Sequence, residues 1–241
     1  MPRVTHVLFD FFGTLVTYVD RLEGHEFPRS HDLVRSLGAD LSYPEFLAAW
    51  TSASVHFEQL SAADHREHAM ADIAQTFLGK ALGRAPADVE VDLLVRTFLS
   101  EWNVGVCPVA GIADLLTGLA AEYRLAVVSN TQDAILVPDH LRAMGVRHLF
   151  DAVITSLEVG WRKPNPRIYA AALRGFDLDA VNAVFVGDSY IADYVGPSEF
   201  GIRSFLIDPH REAPVPEEAR LASVLDLPAR LERARRGGAM R

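Results

Sequence analysis

The chain has 241 residues, 49% of them hydrophobic, which suits a domain with a genuine buried core plus a smaller inserted or appended unit. A net charge of -9 at pH 7 argues against a nucleic-acid surface, which needs clustered positive charge, but leaves room for a small anionic substrate at a local site. The single cysteine, Cys107, excludes an internal disulfide, no apolar run reaches membrane-spanning length, and residues 1–10 carry no signal-peptide pattern, so a soluble cytoplasmic protein is expected.

Residues 4–9 read as the first strand, an apolar run that delivers Asp10 to a turn closed by Gly13 and Thr14. A polar, irregular stretch follows, and from there to about residue 104 the pattern is helical. Leu33, Val34 and Leu37 share one face of a helix at residues 31–37. Ser42 with Glu45 makes a capping box opening a helix that carries Phe46, Trp50 and Phe57. Met70, Ile73, Phe77 and Leu78 mark a third helix, and Val91, Leu94, Val95, Phe98 and Trp102 a fourth. Together they form a four-helix unit at residues 17–105, inserted after the first strand.

From Pro108 strands alternate with helices: GIADLLTGLAAEY is a helix, RLAVVSN a strand, Asp133 to Met144 a helix closed by Gly145, and DAVITS a strand. A polar loop containing Lys163, a helix from Pro166 to Leu173, and the strands AVFVGDS and GIRSFLID follow. The tail from Pro228, with five arginines, reads as a last helix fraying at its end. This alternation predicts a doubly wound α/β core with a parallel sheet, built from residues 1–16 and 106–241.

Each candidate functional residue then falls in an equivalent place. Asp10, Ser129 with Asn130, and Asp188 lie just after the carboxyl ends of apolar strands, and Lys163 lies in the loop after another. In a parallel sheet those ends share one edge, so the residues converge in one crevice. Asp10 and Asp188, with Asp193 nearby, are hard oxygen ligands of the kind Mg2+ takes, while a hydroxyl, an amide and an ammonium could hold phosphate oxygens. Only Lys80 and Lys163 among the 23 basic residues are lysine, so Lys163 stands out as chosen for its chemistry. The set fits phosphoryl transfer to an aspartate.

Four motifs in this order, FDFFGTLV, VVSN, RKPNPRIY and VFVGDSYIAD, resemble those of haloacid dehalogenase (HAD) superfamily hydrolases with a helical C1-type cap after the first strand. The resemblance covers residues 7 to about 207 and implies a Rossmann-like core, residues 17–105 as the cap, and a small phosphorylated substrate. It implies Asp10 as nucleophile, with Mg2+ held by Asp10, the Phe12 carbonyl and Asp188, and with Asp193 supporting the metal or Lys163. Thr14, Ser129 and Asn130 would orient the phosphoryl group or its neighbours, and Lys163 would neutralise it. Closure of the cap would exclude water and select the substrate. Monomer and homodimer are both compatible with the sequence.

One position departs from the pattern. Phosphatases of this superfamily usually carry a second aspartate two residues after the nucleophile, where this chain has Phe12. The proton transfers that aspartate performs are worth about 10^2 to 10^4 in rate. Three readings follow. A phosphatase could use a good leaving group, or an acid/base from Asp20, Glu23 or His25, with Asp20 and His25 also reaching the substrate. A 2-haloacid dehalogenase, acting on a halogenated acid, is also aromatic at this position and is resembled by FFGTL and the Phe200–Gly201 pair. Asp188 and Asp193 argue against that branch, and so does Leu41 where it carries a halide-holding arginine; Arg29 and Arg35 are the nearest substitutes. A catalytically weak protein that binds a phosphorylated ligand or a partner is the third reading, motivated by Phe12 and Pro197.

Overall fold

The computed structural model describes residues 3–18 and 26–238, so Asp20, Glu23 and His25 lie outside the described residues. The chain divides into two compact units, Met1–Thr17 with Pro108–Arg241, and Tyr18–Cys107. No helix among the described residues is long and apolar enough to cross a membrane.

The first unit is built on six parallel strands: β1 (His6–Phe9), β2 (Arg124–Ser129), β3 (Phe150–Thr155), β4 (Ala183–Gly187), β5 (Arg203–Ile207) and β6 (Arg220–Leu221). Their order is β3-β2-β1-β4-β5-β6. The chain steps outward from β1 through β2 to β3, then returns to the other side of β1 and steps outward again. This reversal between β1 and β4 opens a crevice at the strands' carboxyl ends, where open α/β sheets bind ligands. Phe9 pairs with Val127 on one side and Val186 on the other, so Asp10 leaves the sheet at its centre.

Both faces of the sheet are covered, as near-continuous apolar strands require. Leu8, Ala126, Val128 and Phe185 pack with Ile168, Tyr169 and Ala172 of the helix Pro166–Arg174. The alternating residues Val7, Phe9, Val127, Val184 and Val186 are equally buried. Asn165 starts that helix by accepting the Arg167 N–H at 3.0 Å, with Pro166 in the first turn.

Some elements differ from expectation. The helix expected from Asp133 begins at Leu136, because the Asp133 carboxylate accepts the N–H groups of Ile135 and Leu136 and so stands before the helix. The edge strand β6 has two residues, too few for a periodic pattern. The last helix runs over Leu227–Gly238.

The second unit contains α1 (Pro28–Ser36), α2 (Tyr43–Asp64), α3 (Met70–Leu82) and α4 (Asp88–Trp102). Phe46, Trp50, Phe77 and Phe98 form its buried centre, the Trp50 and Phe98 rings lying 4.2 Å apart. Glu45 accepts both the backbone N–H and the hydroxyl of Ser42, at 2.8 and 2.5 Å, and opens α2. The first helix begins three residues before the expected His31. Its open N–H groups are satisfied from α4: Glu101, only 5% exposed, accepts the N–H of Arg29 at 2.8 Å and of Ser30 at 3.0 Å, and the Ser30 hydroxyl at 2.6 Å.

Candidate active site

The centre of the site follows from the strand ends. The Asp10 N–H extends the β1–β4 ladder by donating to the Val186 carbonyl at 2.8 Å, which fixes the backbone and leaves the side chain to leave the sheet edge. Gly13 turns the chain away with φ +81, and a Cβ there would run into the Asp188 carboxylate. Only glycine lets the two strand-end loops approach so closely. Gly187 does the same for Asp193, whose carboxylate occupies the space a Cβ would need.

Lys163 lies between two carboxylates. Its Nζ is 2.6 Å from Asp10 Oδ1 and 2.7 Å from Asp193 Oδ1, and all three residues are buried. The ammonium also stands 5.2 Å from the centre of the Phe185 ring. The Thr14 hydroxyl donates to Asp10 Oδ2 at 3.3 Å. Asp193 spends its other oxygen on the Ser189 N–H at 2.9 Å. Asp188 is the exposed member of the group, and Asp10, Asp188 and Asp193 each offer an oxygen within 4.8 Å of the others.

Negative charge is in surplus here. Burial, chiefly, pushes the Asp10 carboxyl up to about 7; the Lys163 ammonium opposes this, and the Asp193 and Asp188 charges add to it. Burial works against the charge on Lys163, yet Asp10 and Asp193 outweigh it and hold the ammonium above its ordinary range. A cation held among these oxygens would relieve the excess, and three carboxylates are a donor set that suits a divalent ion.

Asn130 holds a neighbour of the expected phosphoryl position. Its Oδ1 accepts the Lys163 N–H at 2.7 Å and its Nδ2 donates to the Lys163 carbonyl at 3.1 Å, so its amide clamps the lysine's own backbone. Ser129 is buried beside it, its hydroxyl 3.4 Å from the Asn130 carbonyl. Phe12 directs its ring toward Phe11, at 4.9 Å, and toward His140, at 6.3 Å. The proposed substrate contacts of Asp20 and His25 lie outside the described residues.

Two participants were not legible beforehand. His140, half-buried on the helix Leu136–Ala143, is held toward its neutral form by burial and faces Phe11 and Phe12. Tyr169 donates its hydroxyl to the Ala192 carbonyl at 2.6 Å, fastening the π-helical turn Tyr190–Val195 that carries Asp193. Burial, with the Asp193 and Asp10 charges, raises the Tyr169 phenol above its ordinary range.

The family model described as haloacid dehalogenase-like hydrolase matches residues 4–201. The chain belongs to this family. Haloacid dehalogenase-like hydrolase domain-containing protein 3 of Homo sapiens is 42% identical to this HAD-like hydrolase over 110 residues, 43% of this chain and 43% of that protein. Glyceraldehyde 3-phosphate phosphatase of Methanothermobacter thermautotrophicus is 38% identical over 86 residues, 36% of this chain and 38% of the relative. The matched stretch spans less than half the length of either relative. Among solved structures, a 2-haloacid dehalogenase from Pseudomonas syringae pv. Tomato DC3000 superposes with a TM-score of 0.72 at 22% identity, covering 96% of this chain and 99% of that one, which shows a shared fold.

Proposed function

We propose that this HAD-like hydrolase is a Mg2+-dependent phosphatase of small phosphorylated metabolites, working through Asp10 and favouring substrates whose leaving group needs no proton. The observation that carries the proposal is the buried group of Asp10, Lys163 and Asp193 with Asp188 beside it, whose surplus negative charge suits a cation and a phosphoryl group together. The phosphatase relative supports the substrate class.

Asp10, Asp188 and the Phe12 backbone carbonyl would hold Mg2+, with Asp193 behind them, and the ion would offset the repulsion between a carboxylate and a phosphate. Lys163 fixes Asp10 Oδ1, leaving Oδ2, with its longer Thr14 contact, as the attacking oxygen. Asp10 Oδ2 bonds to phosphorus as the ester oxygen departs with the bond electrons. Water then attacks the same phosphorus, the bond from phosphorus to Asp10 Oδ2 breaks with its electrons returning to the carboxylate, and both water protons leave on the released phosphate. Ser129, buried at the end of β2, would turn its hydroxyl to the phosphoryl oxygens, while Asn130 sets the position of Lys163. Phenylalanine at position 12 transfers no proton, so an acyl or aryl phosphate, whose leaving group is a weak base, is preferred to a sugar phosphate.

Phosphate release from an aryl or acyl phosphate and from a sugar phosphate, with and without Mg2+ and with Asp10→Asn as the blank, tests the proposal. Metal-dependent, Asp10-dependent turnover of the activated substrate is expected, at least about 10^2-fold above the sugar phosphate. Comparable rates on both would show that another group supplies the proton. Phe12 also favours a second reading, dehalogenation of a short 2-halo acid, since halide leaves unprotonated. Halide release in the presence of chelator, with no phosphate release, would put that reading first.

A further inference from the structure

A second charged concavity lies at the β5–β6 edge of the sheet. The loop after β5, the edge strand β6 and the helix Leu227–Gly238 enclose a cavity of about 300 Å3, lined by Asp208, Arg211, Glu217, Arg220, Arg230 and Arg233. We propose that this cavity binds a small phosphate-type oxyanion, and that it is a binding site separate from the Asp10 cluster. The proposal goes beyond the hydrolase reading and does not depend on it.

The wall of the cavity is built before any ligand arrives. Arg220, 11% exposed, pairs with Asp208 and donates to the carbonyls of Ala213 at 2.9 Å and Val215 at 3.1 Å. Asp208 in turn accepts the N–H groups of Glu212 and Ala213, each at 3.0 Å. Arg211 is paired with Glu217 at 2.9 Å. Asp226, which also lines the cavity, accepts the Ala222 and Ser223 N–H groups at the turn that starts the helix. The carboxylates on this wall therefore already have partners.

The arginines do not all have them. Arg230 and Arg233 lie one turn apart on the helix, and among the described residues neither is in an ion pair. Arg230 spends one N–H on the Arg220 carbonyl at 2.9 Å. The Nε of Arg220 is buried with no hydrogen-bond acceptor, and a Glu217 carboxylate oxygen stands 3.7 Å from it. Two guanidinium groups without carboxylates and one buried donor without an acceptor thus border one cavity, on a protein whose net charge is -9. Guanidinium forks match the oxygens of phosphate in pairs, and a buried donor left unsatisfied gains most from such an oxygen. A volume near the lower end for small-molecule pockets selects a compact anion over a polymer.

Equilibrium dialysis of the full chain with radiolabelled inorganic phosphate, at low salt and with chelator, tests this. The Arg230→Ala/Arg233→Ala double variant should bind phosphate at this site about tenfold or more weakly, and keep the wild-type near-UV spectrum and hydrolytic rate. Lys163→Met should leave the same binding step intact, which separates this cavity from the Asp10 cluster. Arg233→Glu, a single change at an exposed position, should also weaken binding, because it reverses one of the two charges. Parallel dialysis with glycerol phosphate identifies the source: tighter binding of the monoester marks an organic phosphate as the natural ligand, and equal binding marks free phosphate. An isotherm unchanged in both arginine variants overturns the proposal.

Discussion

The two units each bury a carboxylate to nearly the same depth, Glu101 at 5% exposure and Asp10 at 6%, and treat it in opposite ways. Glu101 meets two N–H groups and a hydroxyl within 3.0 Å, and the Arg29 guanidinium lies 3.6 Å away. Among the described residues these partners are all donors or positive. Asp10 has Lys163 on one oxygen and a longer 3.3 Å hydroxyl contact on the other, with two more carboxylates beside it. A buried charge whose partners are complete holds a fold together; one left in surplus is available to a ligand. Inspection of burial alone would class the two residues together, and their donor sets separate them.

Removing the partner of the surplus group should have the largest effect. Lys163→Met leaves Asp10 and Asp193 without their ammonium, so phosphate release is expected to fall by about 10^3-fold. Urea unfolding of the metal-free variant should show a loss of about 3–5 kcal/mol at pH 8, recovered in part at pH 5 as Asp10 takes up a proton. An active Lys163→Met enzyme would remove Lys163 from the machinery and erase the contrast.

Glu101→Ala tests the other side of the comparison. The substitution strips three donors at the start of α1 of their acceptor, at an expected cost of about 3 kcal/mol in urea unfolding. Glu101→Gln, which keeps the shape and one acceptor oxygen, should lose less than half of that. A Glu101→Gln variant as unstable as Glu101→Ala would mean that the carboxylate's charge, rather than its hydrogen-bond count, carries the role.

The pH dependence of stability should distinguish them as well. Asp10 is raised in the folded state, to about 7, so the folded protein holds a proton there that the unfolded chain releases near pH 4. Its contribution is therefore present in full below the unfolded value and lost as pH rises through about 7. In chelator, the unfolding free energy of the wild type from urea titration should fall by on the order of 2 kcal/mol between pH 5 and pH 8, and Mg2+ should restore it. Asp10→Asn should flatten the profile while abolishing turnover. A wild-type midpoint independent of pH would sink the claim that the cluster carries surplus negative charge.

How much of this was legible in the sequence depends on how local each cause is. Asp10, Asp188 and Lys163 could be placed side by side from the sequence because an apolar strand ending on a polar residue is a local pattern, and a parallel sheet collects such ends at one edge. The early start of α1 was not, because its cap comes from Glu101 at the far end of the unit's chain. Asn130 was recognised as a site residue, but its partner is the backbone of Lys163, 33 residues on, and the side chain's type gave no hint of that choice. His140 sits on an amphipathic helix where a histidine reads as a surface residue, and only the fold brings it to Phe12. Arg220 and Asp208 were unremarked because each is an ordinary charge in an irregular stretch until β5 and β6 pair.

Tyr169 offers the finest cut between the two kinds of burial. Its hydroxyl is a neutral donor, raised in pKa by burial and by the Asp193 and Asp10 charges, so it stays protonated and serves only the Ala192 carbonyl. If that bond is purely structural, Tyr169→Phe should cost about 1 kcal/mol in urea unfolding and leave the Mg2+ dependence of turnover unchanged. The turn it fastens, however, carries Asp193, whose oxygens fix both Lys163 and the Ser189 N–H. Loosening that turn should therefore raise the Mg2+ concentration for half-maximal activity about threefold, with the maximal rate nearly kept. The stability loss without the metal shift would place Tyr169 with Glu101, on the side of completed contacts; both together would make it a positioning residue for the surplus cluster.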